Sequence, residues 1–124
     1  MEKKKLGQWM LLAVVCLSFS VGEIYAQKHE FADFKRYAKE NATLAQPVKK
    51  EKRVVFMGNS ITEGWVRTHP DFFKTNGYIG RGISGQTSYQ FLLRFREDVI
   101  NLAPALVVIN AGTNDVAENT GPYN

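Results

Sequence analysis

One stretch constrains this chain more than any other: Arg53-Val54-Val55-Phe56-Met57-Gly58-Asn59-Ser60-Ile61-Thr62-Glu63-Gly64-Trp65. Val54 to Met57 is a β-branched and aromatic run that stops at a glycine. A short apolar run closed by Gly reads as a buried strand, and the residues after the glycine read as the start of a helix. In open α/β sheets, ligands bind at the carboxyl ends of strands, where such a turn sits. Ser60 therefore stands where a nucleophile would be useful. A serine just after a strand is, however, more often a helix N-cap than a catalyst.

The length of 124 residues suffices for one domain at most, with the apolar and charged fractions of an ordinary globular protein. The formal charge of +4 is modest. Lys49, Lys50, Lys52 and Arg53 cluster just before the first strand and read as a solvated linker. No motif or aromatic interleaving of a nucleic-acid binder is present, so nucleic acid is not an expected partner.

The N-terminus reads as a secretory signal peptide over residues 1–26. Lys3, Lys4 and Lys5 form the positive region, Trp9 to Phe19 the apolar core, and Ala26 the small residue before the cut. The apolar run is too short to span a bilayer, so no stable membrane insertion is expected after cleavage. Gln27 becomes the first mature residue, and the protein is expected to be secreted or periplasmic. Cys16, the single cysteine, lies inside the apolar run after Val15. A lipoprotein signal wants a small residue there, so lipidation is not expected. The mature chain has no disulfide to rely on.

Residues 27–52 read as a short amphipathic helix and a linker. Phe31, Phe34 and Tyr37 recur at three-residue intervals until Asn41-Ala42-Thr43 and Pro47 end the pattern. The main domain, 53–124, continues with a turn and short helix at Thr68 to Phe73 and a glycine-punctuated strand from Tyr78 to Ile83. A helix capped by Thr87 or Ser88 then runs to about Leu102. Leu92, Phe95, Val99 and Leu102 form its expected buried stripe, with Arg94, Arg96, Glu97 and Asp98 mostly on the other side. Ala105 to Asn110 reads as a third strand, buried on both faces of a parallel sheet. Alternating strands and helices imply an α/β, three-layer sandwich with a parallel sheet and right-handed crossovers.

Two readings compete for the glycines. Gly80-Arg81-Gly82-Ile83-Ser84-Gly85 fits the dinucleotide fingerprint G-x-G-x-x-G. That fingerprint also needs an acid about 20 residues on, at the end of the next strand, and Asp115 comes well past that end. A tight turn packing helix against strand fits better. The other reading takes three strand ends together: Gly58-Asn59-Ser60, Ser84-Gly85-Gln86-Thr87 and Gly112-Thr113-Asn114-Asp115. Acyl transfer needs a nucleophile and donors aimed at the developing oxyanion. Ser60 offers a hydroxyl and its own N–H, Gly85 a second backbone N–H, and Asn114 a neutral side-chain amide. Singly each has a bland explanation as cap, turn or loop former; three at successive strand ends do not.

These blocks resemble the SGNH (GDSL-type) hydrolase family over roughly Arg53 to Asp115. The resemblance implies a flavodoxin-like, five-stranded parallel sheet between helices, and an esterase, lipase or carbohydrate deacetylase without metal or organic cofactor. It makes Ser60 the nucleophile and gives the oxyanion hole to Ser60, Gly85 and Asn114. The expected substrate is a small-molecule or carbohydrate ester carrying a short acyl group such as acetyl, with Trp65 as an aromatic wall beside Ser60.

Two departures stand out. The family's usual Asp before the serine is Asn59 here, which keeps one acceptor oxygen. The family's D-x-x-H block, carrying the triad Asp and His, is absent from these 124 residues. Neither His29, in the N-terminal tail, nor His69, in Arg67-Thr68-His69-Pro70, is expected to replace that base. The expectation is the N-terminal part of a longer hydrolase, its sheet incomplete at the C-terminus and inactive alone. A non-catalytic carbohydrate-binding module and a nucleotide-binding domain are the alternatives.

Overall fold

The protein is described here by a computed structural model over residues 31–122; the stretch read as a signal peptide, with Cys16 and Ala26, then His29, and the last two residues lie outside the described ones. Three five-residue strands carry the fold: β1 (Val54–Gly58), β2 (Tyr78–Gly82) and β3 (Leu106–Asn110). They pair in parallel in the order β2-β1-β3. Parallel neighbours need crossovers, and crossovers are right-handed. Since the neighbours of β1 lie on opposite sides of it, the two crossovers cover opposite faces of the sheet. On one face lie α2 (Ser60–Thr68) and α3 (Pro70–Asn76); on the other lies α4 (Ser88–Asp98), continued by a 3-10 turn at Ile100–Leu102. Helix α1 (Lys35–Thr43) packs beside α4, and the short α5 (Thr113–Val116) follows β3. This is the expected three-layer α/β sandwich, and 2-1-3 is the order with which a flavodoxin-like sheet begins.

Alternation along β1 divides the packing. Val55 and Met57 turn toward α4 and join Phe91, Val99 and Leu102 in a buried cluster, with Leu44, Ile79, Phe95 and Val107 against it. Burying each of these large side chains stabilises by about 1.5–3 kcal/mol. Phe56 turns the other way and meets Trp65, Phe73 and Tyr78 at ring separations of 5.5, 5.3 and 5.2 Å. On that same face the glycines of β2 explain themselves. A Cβ on Gly80 would stand 2.2 Å from the Val66 side chain, and one on Gly82 would stand 2.3 Å from the Glu63 backbone nitrogen. The G-x-G spacing lets α2 lie directly on β2. Two of the three glycines thus serve packing, against a phosphate-binding role.

Three expectations need correction. First, the buried stripe of α4 is Phe91, Arg94 and Asp98, while Leu92 is 76% exposed. The apolar residues Val99 and Leu102 still face inward, because at i+8 and i+11 from Phe91 they share its side of the helix. Second, β3 is not buried on both faces. Val107 packs on the core, but Leu106 and Ile109 are 58% and 56% exposed. Third, of the expected Phe31, Phe34 and Tyr37 stripe only Tyr37 lies in α1 and is buried; Phe31 and Phe34 precede the helix, Phe31 is exposed, and Ala32 is buried instead. Among the described residues no helix is long and apolar enough to cross a membrane.

Candidate active site

The register fixes where the candidate residues meet. Gly58 pairs with Gly82 on one side and with Asn110 on the other, so all three strands end level. The loops after the strands therefore leave from one edge of the sheet, beside the β1/β3 switch point where open α/β sheets take ligands.

Ser60 is the first residue of α2, and it is not the cap. Asn59, buried, takes that place, and its Oδ1 accepts the Ile61 N–H at 3.2 Å. An N-cap needs only an acceptor oxygen, which explains how Asn serves where the family has Asp. The Ser60 side chain is thereby left exposed, and its N–H belongs to the helix's first turn, which has no intrahelical acceptor. A Cβ on Gly58 would collide with Thr62 at 2.0 Å, so the sharp turn from β1 into α2 depends on that glycine.

Gly85 adopts a left-handed φ of +77°, with open space where a Cβ would be. Its carbonyl accepts from Asn119 Nδ2 at 3.1 Å. Asn114, in α5, donates one amide hydrogen from Nδ2 to the Gln86 carbonyl at 2.9 Å, which leaves the second amide hydrogen available. That bond ties the loop after β3 to the loop after β2.

Two carboxylates that the sequence reading gave no part in the chemistry, Glu63 and Asp115, brace the same loops. Glu63, on α2, accepts the Ser84 N–H at 2.9 Å, the Ser84 hydroxyl, and Arg36 Nη2 at 3.3 Å. These donors, the Ser84 hydroxyl foremost, hold its carboxyl below the usual carboxylate range. Asp115 accepts the Ser88 N–H at 3.0 Å and the Ser88 hydroxyl, which likewise lower its pKa. The signal for Glu63 in the sequence is its place one turn after the serine on the same helix.

Trp65 sits five residues past Ser60, about 7.5 Å further along the helix axis. Its ring packs against Phe56 and Phe73 and stacks on Phe72 at 5.3 Å. It is a partly exposed member of the aromatic cluster rather than a wall beside the serine. His69 lies between the far end of α2 and the start of α3, with Nδ1 2.8 Å from the Thr68 hydroxyl. Nine helical residues separate it from Ser60 by roughly 13 Å, beyond the hydrogen-bond reach a general base needs. Among the described residues no group of three or more potential metal ligands occurs.

A parallel α/β sandwich of 2-1-3 order, with three loops gathered at its carboxyl edge, is the class this fold and site define. Within that class the chain belongs to the GDSL-like lipase/acylhydrolase family, whose model matches residues 56–124. It is similar to the crystal structure of a GDSL-like lipase from Bacteroides thetaiotaomicron VPI-5482, with 92% identity and a TM-score of 0.74 over 76% of this chain and 46% of that one. It is also similar to a structure from Bacteroides fragilis NCTC 9343, with 80% identity and a TM-score of 0.74 over 75% of this chain and 45% of that one. This chain thus spans just under half the length of both. Among curated proteins none matches.

Proposed function

We propose that the protein is an exported serine esterase that removes a short acyl group, such as acetyl, from a carbohydrate ester. The observation that carries this reading is the level ending of the three strands, Gly58 beside Gly82 and Asn110, which gathers Ser60, Gly85 and Asn114 at one edge. Ser60 Oγ attacks the ester carbonyl and gives its proton to a general base. The carbonyl oxygen becomes an oxyanion, met by the Ser60 and Gly85 N–H groups and by Asn114 Nδ2. The alcohol leaves, and water then releases the acyl group from Ser60. Among the described residues the one histidine, His69, stands too far from Ser60 to take that proton, so residues 27–124 alone are expected to be inactive. The carbohydrate part rests on the family resemblance.

The test uses the complete gene product, recovered from the medium or periplasm with Gln27 at its amino terminus. It should hydrolyse p-nitrophenyl acetate, Ser60→Ala should abolish turnover, and Asn114→Leu should lower kcat about 10²–10³-fold. Full activity in Ser60→Ala would refute the assignment. The position of His69 favours one second reading, a carbohydrate-binding module without turnover. It predicts binding of an acetylated oligosaccharide by calorimetry and no hydrolysis by the complete protein.

A further inference from the structure

The largest of the fully buried side chains is a charged one. Arg94 is 0% exposed. Nothing in the acyl-transfer reading uses it, yet its guanidinium lies directly behind the candidate site. Nε donates to Gln86 Oε1 at 2.6 Å and Nη1 to Asp98 Oδ2 at 2.9 Å. Nη2 donates to two backbone carbonyls at strand ends, Gly58 at 3.2 Å and Arg81 at 3.0 Å. Gly58 stands two residues before Ser60, and Gln86 directly follows Gly85. The Gln86 carbonyl is also the acceptor for Asn114 Nδ2, and its Nε2 donates to the Ala32 carbonyl at 2.9 Å. One side chain therefore reaches within two residues, or one hydrogen bond, of all three candidate oxyanion donors.

Stability is a poor explanation for a charge in this place. Removing two ions from water is expensive, and a well-packed apolar set of similar volume is often as stable. What an apolar set cannot do is fix angles between acceptors. A guanidinium carries five donors in one rigid plane, whereas an ammonium carries three on a flexible stem. Donors to an oxyanion, in turn, act only where they are held in place before the charge develops.

We propose that Arg94 is a positioning residue. Its buried guanidinium holds the carboxyl ends of β1 and β2 and the Gln86 side chain against one another, and so sets the separation of the Ser60 and Gly85 N–H groups. Asp98 supplies the countercharge and orients the fork. The proposal rests on the serine-esterase reading above.

The experiment measures kcat and KM of the complete gene product on p-nitrophenyl acetate, at a temperature where circular dichroism shows each variant folded. Arg94→Lys should lower kcat about tenfold or more with KM within about twofold, since the loss falls on the transition state. Gln86→Met, which removes one acceptor and leaves the guanidinium, should lower kcat in the same way to a smaller extent. Val99→Ala, a buried apolar residue whose side chain takes no part in this hydrogen-bond network, should keep the wild-type kcat. Should Arg94→Lys not fold, the kcat and KM of Gln86→Met decide by the same split. A kcat within twofold of wild type in the folded Arg94→Lys overturns the proposal, as does an equal loss in Val99→Ala. Ser60→Ala separates the two layers: an active Ser60→Ala removes the esterase reading and the positioning role with it. An inactive Ser60→Ala beside a fully active Arg94→Lys removes the positioning role alone.

Discussion

Two glycines near the site look alike in the sequence and differ in kind. Gly85 is needed for its backbone: φ is +77°, and a Cβ would meet nothing within 4 Å. Gly82 has no such φ, but a Cβ there would press on the Glu63 nitrogen at 2.3 Å and the Asn59 carbonyl oxygen at 2.9 Å. Backbone atoms of a packed helix cannot step aside as a flexible side chain can. Gly85→Ala should therefore destabilise by about 1 kcal/mol, and Gly82→Ala by about 3 kcal/mol. Urea melts of the two variants check this, and equal midpoints would contradict it. At this scale the placement of Ser60, Gly85 and Asn114 after successive strands was legible, because each follows an apolar or glycine-punctuated run. Arg94 was not. On α4 it shares a stripe with Phe91 and Asp98, one position away from the stripe of Leu92, Phe95 and Val99. Charge alone suggested solvent, and only the carbonyl-rich strand ends opposite it reverse that.

Among elements, α2 carries the most: it begins with Ser60, packs on two glycines of β2, and holds the loop after β2 through Glu63. Glu63 and Asp115 both have folded pKa values below their ordinary ones. The stability they contribute is fully present above their unfolded values, about pH 4. It is lost as the pH falls through that region toward the depressed folded values. The urea midpoint should therefore drop as the pH is lowered below about 4.5. Glu63→Gln, which keeps the shape and removes the titration, should show a shallower drop; an unchanged slope would contradict the role given to that carboxylate. Strands and helices were placed well by apolar runs and by the cap expected at Thr87 or Ser88, which falls on Thr87, with its N–H donating to Gln90 Oε1 at 2.9 Å. Their ends were not. Nothing in the sequence says that α4 stops at Asp98 and tightens into a 3-10 turn, because tertiary contacts decide it.

At the scale of the whole molecule the two outer strands are treated differently. Carbonyls alternate along a strand, so Gly80 and Gly82 point theirs away from β1. Arg81 Nη1 takes the first at 2.8 Å, and the Tyr37 hydroxyl of α1 takes the second. The segment that read as a packing helix and linker therefore also guards an edge. β3 has no such guard among the described residues, and Leu106, Val108 and Ile109 are exposed on it. An open apolar edge is a template for another strand. Residues 27–124 produced alone should self-associate at micromolar concentration, and sedimentation of a pure monomer with a cooperative thermal transition would contradict this. How far that association runs depends on the Tyr37 latch. With one margin shut and one open, two copies that join through β3 are related by a twofold axis, and each presents only its closed side outward. Growth then ends at a pair, a six-stranded sheet with both rims sealed, where a chain open on both sides would polymerise without limit.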